Sequence, residues 1–334
     1  MATVDLYDIT YQVVAALQSG EKLHLEQAAE NIAWEENKGE LAVRLNLTLR
    51  DMKTDKGKML STSLALCTGI HVYATWSGKK TEVFRGTIWQ HDSSPIDDEQ
   101  IVITAYDRLY YLQKHKDNLY FAKGTRTRSI ATELLKPHSI PLGRYTGADI
   151  AHEKLAYKGK TLGSMMAETL ALADENTKTR KTIIRMREGK AEIIKQGENN
   201  PIYGFNLGEN LMAVRQTYSM VDLVTKVIVT GKEEKETKPP VEATLNGALE
   251  YGLLQEIHSK GDATLEEAKN AAQKILNERG KPNRITSVRA PEFPGIRKGD
   301  RIHINAGRIN GYFYVMGVSH NATTAQMQME VEPV

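Results

Sequence analysis

Cysteine is nearly missing from this chain of 334 residues, where Cys67 stands alone. A lone cysteine excludes an internal disulfide and gives a metal no thiolate pair. Its apolar neighbours predict a small buried hydrophobe, and the chain is expected to be made in a reducing cytoplasm. Long apolar runs are missing as well. None approaches the roughly 20 residues that span a bilayer, and the N-terminus has no basic stretch leading into an apolar one, so no secretory signal is expected. Charge of one sign is not in excess either: 44 Lys and Arg against 42 Asp and Glu leave a net charge of +2. That balance argues against a dedicated nucleic-acid binder, which carries a strongly basic face. The length allows two or three domains of ordinary globular composition.

Catalytic spacings are also absent. His24, His71, His91, His115, His138, His152, His258, His303 and His320 are scattered, with no H-x-x-x-H or H-E-x-x-H pair to hold a metal. His303 is expected to point outward between Ile302 and Ile304, and His320 to be a hydrogen-bonding residue at a strand end. A glycosidase needs an acid in an apolar pocket and a second carboxylate about 5–9 Å away. The cluster Asp97-Asp98-Glu99 instead follows Ser93-Ser94-Pro95 and reads as a solvated loop. Gly163-Ser164-Met165-Met166 lacks the second glycine of a nucleophile elbow, and no glycine-rich phosphate loop occurs. The one short basic run, Lys123-Gly124-Thr125-Arg126-Thr127-Arg128, reads as a solvated face leading into a helix. No catalytic residue, cofactor or metal site is therefore assigned, and neither stable nucleic-acid nor membrane binding is expected.

What is present is patterning. Leu41, Val43, Leu45, Leu47 and Leu49 alternate with Ala42, Arg44, Asn46, Thr48 and Arg50, a period-two strand with one apolar face. Ile70 to Trp76 alternates again, turns at Ser77-Gly78 and returns through Glu82 to Trp89 as a hairpin; Ile101 to Tyr106 follows as a further strand. Between about Asp107 and Glu209 the pattern changes to helices over Arg128–Leu135 and Leu162–Ala173, the second capped by Thr161. Met165 and Met166 stand at helical spacing beside Leu162 and Leu170 and are read as core. Thr182 to Met186 and Ala191 to Lys195 form a hairpin around Glu188-Gly189. Met212 to Tyr218 and Val224 to Thr230 return to strands. Near the end, Thr264 and Glu267 form a capping box that opens a helix stopped by Gly280 and Pro282. Strands follow at Ile285–Arg289, Asp300–Asn305, Tyr312–His320 and Thr324–Glu332, with Asn310-Gly311 expected as the tight turn. Lys53–Lys58 and Gly231–Pro240 are charged, aperiodic and expected to be mobile loops. The fold class is mainly β with an α+β insert, divided at 1–106, 107–209 and 210–334, with strands shared between the two β units.

Several segments, in order, resemble the XkdQ/YqbQ family of contractile-tail baseplate hub proteins. They are Tyr7-Asp8-Ile9-Thr10, Asn31-Ile32-Ala33-Trp34 leading to Gly39-Glu40-Leu41-Ala42, and Val83-Phe84-Arg85-Gly86 followed by Ile103 to Leu109. Tyr251 to Glu256, the Thr264 helix, Lys298-Gly299-Asp300-Arg301-Ile302 and Gly311 to His320 complete the set. The resemblance implies two tail-tube-like β-barrel units flanking a small LysM-like α/β module. It implies a structural, non-enzymatic homotrimer in the virion tail baseplate that joins a threefold spike to the sixfold tail tube. Its partners would be the tube protein, the central spike and other baseplate proteins, with synthesis in the bacterial host cytoplasm. Two alternatives stand beside it: a tail-associated cell-wall-binding or peptidoglycan-hydrolysing component, and a hub-like spike protein of a secretion system.

Overall fold

The structure is a computed structural model that describes residues 9–93, 100–232 and 238–334. Tyr7, Asp8, the Asp97-Asp98-Glu99 cluster and the centre of the Gly231–Pro240 loop lie outside the described residues. Two compact units make up the chain: a larger one of Met1–Val214 and Ser287–Val334, and a smaller one of Arg215–Thr286. Strand dominates both.

In the larger unit, one pairing path joins the two ends of the sequence. It runs from Gln326–Pro333 through Ile309–Asn321, Ala29–Glu36, Arg44–Arg50, Gln100–Tyr106, Lys79–Ser93 and Gly69–Trp76 to Thr10–Ala16 and Lys22–His24. The expected alternation decides which faces pack. Leu45, Leu47 and Leu49 are fully buried between half-exposed polar residues, because successive side chains of a strand point to opposite faces. The path stays open among the described residues, so backbone pairing does not close two separate barrels. The reason is the length of Ile309–Asn321. Its first half pairs with Arg301–Ala306, and its last residues run on to meet Ala29–Glu36 in the register Val318↔Glu36 to Asn321↔Ala33. Tyr203–Asn206 lies parallel to Arg301–Ala306.

Three apolar clusters fill this unit. One is built on Val13, Leu45, Ile70, Val72 and Ile103, and another on Val288, Ile302, Ile304, Val315 and Met329. Between them in sequence, Leu109, Ile130, Leu134, Met165, Met166 and Ile193 form the third. It holds the helices Thr127–Leu135 and Leu162–Thr177 and the hairpin Thr182–Arg187/Lys190–Lys195. Thr161 caps the longer helix by accepting the amide of Ser164 at 3.1 Å. That helix runs four residues past Ala173, because Asp174 turns its carboxylate to the amide and hydroxyl of Thr182, each at 2.6 Å.

The smaller unit is a three-stranded sheet, ordered Val241–Asn246, Lys226–Thr230, Gln255–Ser259, with the helix Leu265–Arg279 packed on one face. Val227, Val229, Ala268, Ala272 and Leu276 form its core. The capping box forms as expected: Glu267 donates its amide to Thr264 Oγ1 while its carboxylate accepts the Thr264 amide.

Two local expectations are corrected. Asn310-Gly311 is not the turn; both residues are paired in the strand, opposite Asn305 and Ile304. The turn is Gly307-Arg308, where Gly307 takes φ 63°, the left-handed first position that a two-residue hairpin reserves for glycine. Cys67 is exposed, not buried, since the chain turns outward after the buried Leu64 and holds Cys67 at φ 65°. The Lys53–Lys58 segment forms a turn, with Lys53 bridged to Met59 and the Thr54 amide donating to the Lys58 carbonyl at 2.7 Å.

Candidate functional site: a buried ionic joint

The expected absence of a catalytic constellation leaves open what the charged residues inside the larger unit do. Charged side chains are rarely buried unless paired, yet Glu36 is 2% exposed, Asp107 1%, Asp300 4% and Arg185 8%. Glu36 ends the Ala29–Glu36 strand, Asp107 follows Gln100–Tyr106, Arg185 sits in the central hairpin, and Arg297, Lys298 and Asp300 lie in the turn before Arg301–Ala306. Elements far apart in sequence thus bring their charges to one place, three of them from the single turn before Arg301.

Arg297 is the centre of the group. Its Nε and Nη2 donate to the two Glu36 carboxylate oxygens at 2.7 and 3.0 Å, and its Nη1 donates to the Met186 carbonyl at 2.8 Å. Such a fork fixes orientation as well as charge. Arg185 Nη1 donates to Asp300 Oδ1 at 3.0 Å, and Asp300 Oδ2 accepts the Arg297 amide at 2.9 Å. Lys298 donates to the Asn37 and Glu40 carbonyls. Asp107 accepts the amides of Val43 at 3.1 Å and Leu109 at 2.9 Å. Gly299 completes the turn at φ 88°, where a Cβ would lie 1.9 Å from Ile183 Cδ1.

Burial and pairing pull these groups in opposite directions. Burial opposes ionisation of Glu36, but Arg297, helped by Lys298 and Arg185, holds its carboxyl below the usual value. Arg297 is raised because Glu36 outweighs its own burial. Burial pushes Lys298 down and Asp300 up. For Asp107 burial outweighs the two amides, and its carboxyl is pushed up to about 7.

A second buried group ties the two ends of the sequence together. His320 Nδ1 meets both Glu292 carboxylate oxygens at 3.0 and 2.9 Å, and Nε2 meets the Ile296 carbonyl at 3.0 Å. Its ring stacks on Trp34 at 4.7 Å, and Tyr11 donates its hydroxyl to Glu292 at 3.1 Å. Burial and Glu292 push the Tyr11 hydroxyl up. Both ring nitrogens of His320 are engaged, so it serves as a hydrogen-bonding strand residue. His303 is half-buried against the Tyr312 ring.

The other singled-out residues are dispersed. His115 Nδ1 and His138 Nε2 meet at 3.0 Å, but no third ligand joins them, and no group of three metal-ligating side chains occurs among the described residues. In the basic run, Lys123 pairs with Glu153 at 3.0 Å, Arg126 with Asp149 at 2.9 Å, and Arg128 lies over the Tyr145 ring. Ser164 is an exposed first-turn residue of its helix. Beside the joint lies a cavity of about 210 Å³, lined chiefly by Leu41, Ala167, Leu170, Ile183, Val315 and Met316. No described helix is long and apolar enough to cross a membrane. One signal for the joint was legible in advance: Arg185 interrupts the apolar run Ile183-Ile184-Arg185-Met186.

The fold is similar to that of solved phage tail proteins. The 43 kDa tail protein of prophage MuSo2 from Shewanella oneidensis superimposes with a TM-score of 0.67 at 13% identity, covering 96% of this chain and 98% of that one. The YQBQ-like family model matches residues 32–332, and the chain belongs to that family. Among its relatives in Bacillus subtilis strain 168, the uncharacterized protein YqbQ is 25% identical over 242 residues, 71% of this chain and 72% of the relative. Protein XkdQ of the phage-like element PBSX is 21% identical over 288 residues, 84% of each chain.

Proposed function

We propose that this chain is the non-enzymatic hub of a contractile tail baseplate, where three copies join a threefold spike to the sixfold tail tube. Its partners are then further copies of itself, the tail tube protein, the central spike and other baseplate proteins. It is made in the host cytoplasm and ends in the baseplate of the tail. In this reading residues 1–106 and 210–334 supply two tail-tube-like β units that share strands, and 107–209 form a LysM-like module. Three subunits then present six quasi-equivalent β units. Apolar clusters centred in the first β region, in the module and in the last strands support the division, with Arg215–Thr286 adding a core of its own.

The observation that carries the reading is where the ordered family-like segments go. Glu40, Asp107 and Lys298-Gly299-Asp300 come from three of them, and all meet in the ionic joint. There they hold backbone and one another, which serves a rigid connector. Electron microscopy of the assembled tail tests the proposal: threefold density for this chain between tube and spike is expected. Density on the outside of the particle would favour a cell-wall-binding component. Turnover of peptidoglycan that is lost on replacing one carboxylate would favour a hydrolase. Occupancy in a secretion apparatus lacking a tail would favour the spike reading.

A further inference from the structure

The smaller unit holds 72 of the 334 residues but more than half of the exposed large apolar side chains among the described residues, including Val221, Val241, Leu249, Leu253 and Ile257. Its sheet also has two open edges. Among the described residues, Val241–Asn246 and Gln255–Ser259 each pair only with the central Lys226–Thr230 strand. Open edges bearing apolar residues invite pairing with another chain.

We propose that the Gln255–Ser259 edge of one copy pairs with the Val241–Asn246 edge of the next, joining three small sheets in a ring. The contact rests on the threefold reading above and assigns the strands that make it. Three features make a second copy the fitting occupant. First, the two edges are different strands on opposite sides of one sheet, so each copy offers a donor and an acceptor; such heterologous contacts form a ring when the rotation between copies closes. Second, Val241–Asn246 is antiparallel and Gln255–Ser259 parallel to the central strand. A neighbour related by rotation about an axis along the strands therefore brings the two edges together antiparallel, the more stable arrangement. Third, the exposed residues match. Val227 and Val229 face the helix, so alternation puts Ile228, Ile257 and Thr244 on the opposite face. Aligning Ile257 with Thr244 of the neighbour sets Gln255 opposite Asn246. It also covers Ile257, 64% exposed in the single chain, and brings it toward Val241, 54% exposed.

The test uses the full chain carrying Cys67→Ser, Asn246→Cys and Gln255→Cys, assembled with its tail partners and mildly oxidised. Directly opposed antiparallel residues lie within disulfide reach, so a covalent trimer is expected from the paired variant. Either cysteine alone can give at most a dimer. Ile257→Lys, on an exposed side chain, should leave the folded chain intact and abolish the ring. Threefold particles that form normally with Ile257→Lys and yield no covalent trimer would overturn the strand assignment while the threefold reading stands. Particles with no threefold ring of this chain at all would overturn both.

Discussion

Replacing Glu36 with Gln keeps the shape of the joint and removes one charge. The Arg297 side chain, only about a fifth exposed, still donates to the Met186 carbonyl, but faces a neutral amide in place of a carboxylate that takes two of its hydrogen bonds. Breaking a buried pair on one side costs about 3–5 kcal/mol, because the surviving charge is stranded away from water. At about 2–4 °C per kcal/mol for a unit of this size, the melting temperature should fall by roughly 6–20 °C. Urea denaturation of the full chain reads the same loss directly. Replacing both partners, as Glu36→Leu with Arg297→Met, should cost less than Glu36→Gln alone, since no charge is stranded. The pH dependence follows from the lowered Glu36 carboxyl. A depressed acid stabilises above its unfolded value and loses that contribution as pH falls through the folded one. The gap between wild type and Glu36→Gln should therefore hold through neutral pH and close in acid. A loss below about 1 kcal/mol at neutral pH, or a double replacement worse than the single one, would refute the argument that this pair is a desolvated joint.

Asp107 has the opposite sign: its carboxyl is pushed up to about 7, so the folded chain holds the proton more tightly, and stability should fall as pH rises from about 4 to 7. Asp107→Asn should flatten that slope in pH-dependent urea melts and cost about 1–3 kcal/mol, because one carbonyl oxygen replaces two acceptors for the Val43 and Leu109 amides. Gly299→Ala forces a side chain into the left-handed region beside Ile183; a loss of about 1–3 kcal/mol in thermal melts is expected. Thr264→Ala removes the capping box and should cost about 1 kcal/mol, visible as faster amide exchange in the first turn of Leu265–Arg279.

Legibility followed pattern strength. Leu45, Leu47 and Leu49 alternate without a break, and Thr264 and Glu267 announce a cap, so that strand and that helix were readable from residues alone. The strands Val241–Asn246 and Gln255–Ser259 were not. Both are sheet edges with one face uncovered, so neither repeats an apolar residue often enough to reveal a period. Asn310-Gly311 misled because its turn chemistry is genuine but Gly307, three residues earlier, already satisfies the hairpin. The joint was hidden for a different reason. Glu36, Asp107, Arg185 and Arg297 are as far as 261 residues apart in sequence, and pairing at that distance is a property of the sheet path, which no local period encodes.

A threefold connector at the core of a tail has a fixed place and copy number. The most direct measurement is electron microscopy of intact tail particles carrying a small tag on this chain, with the tag located and its copies counted. Three copies on the tail axis, between the tube and the spike, are expected. Six or more copies at the periphery, or complete tails assembled without this chain, would contradict that role.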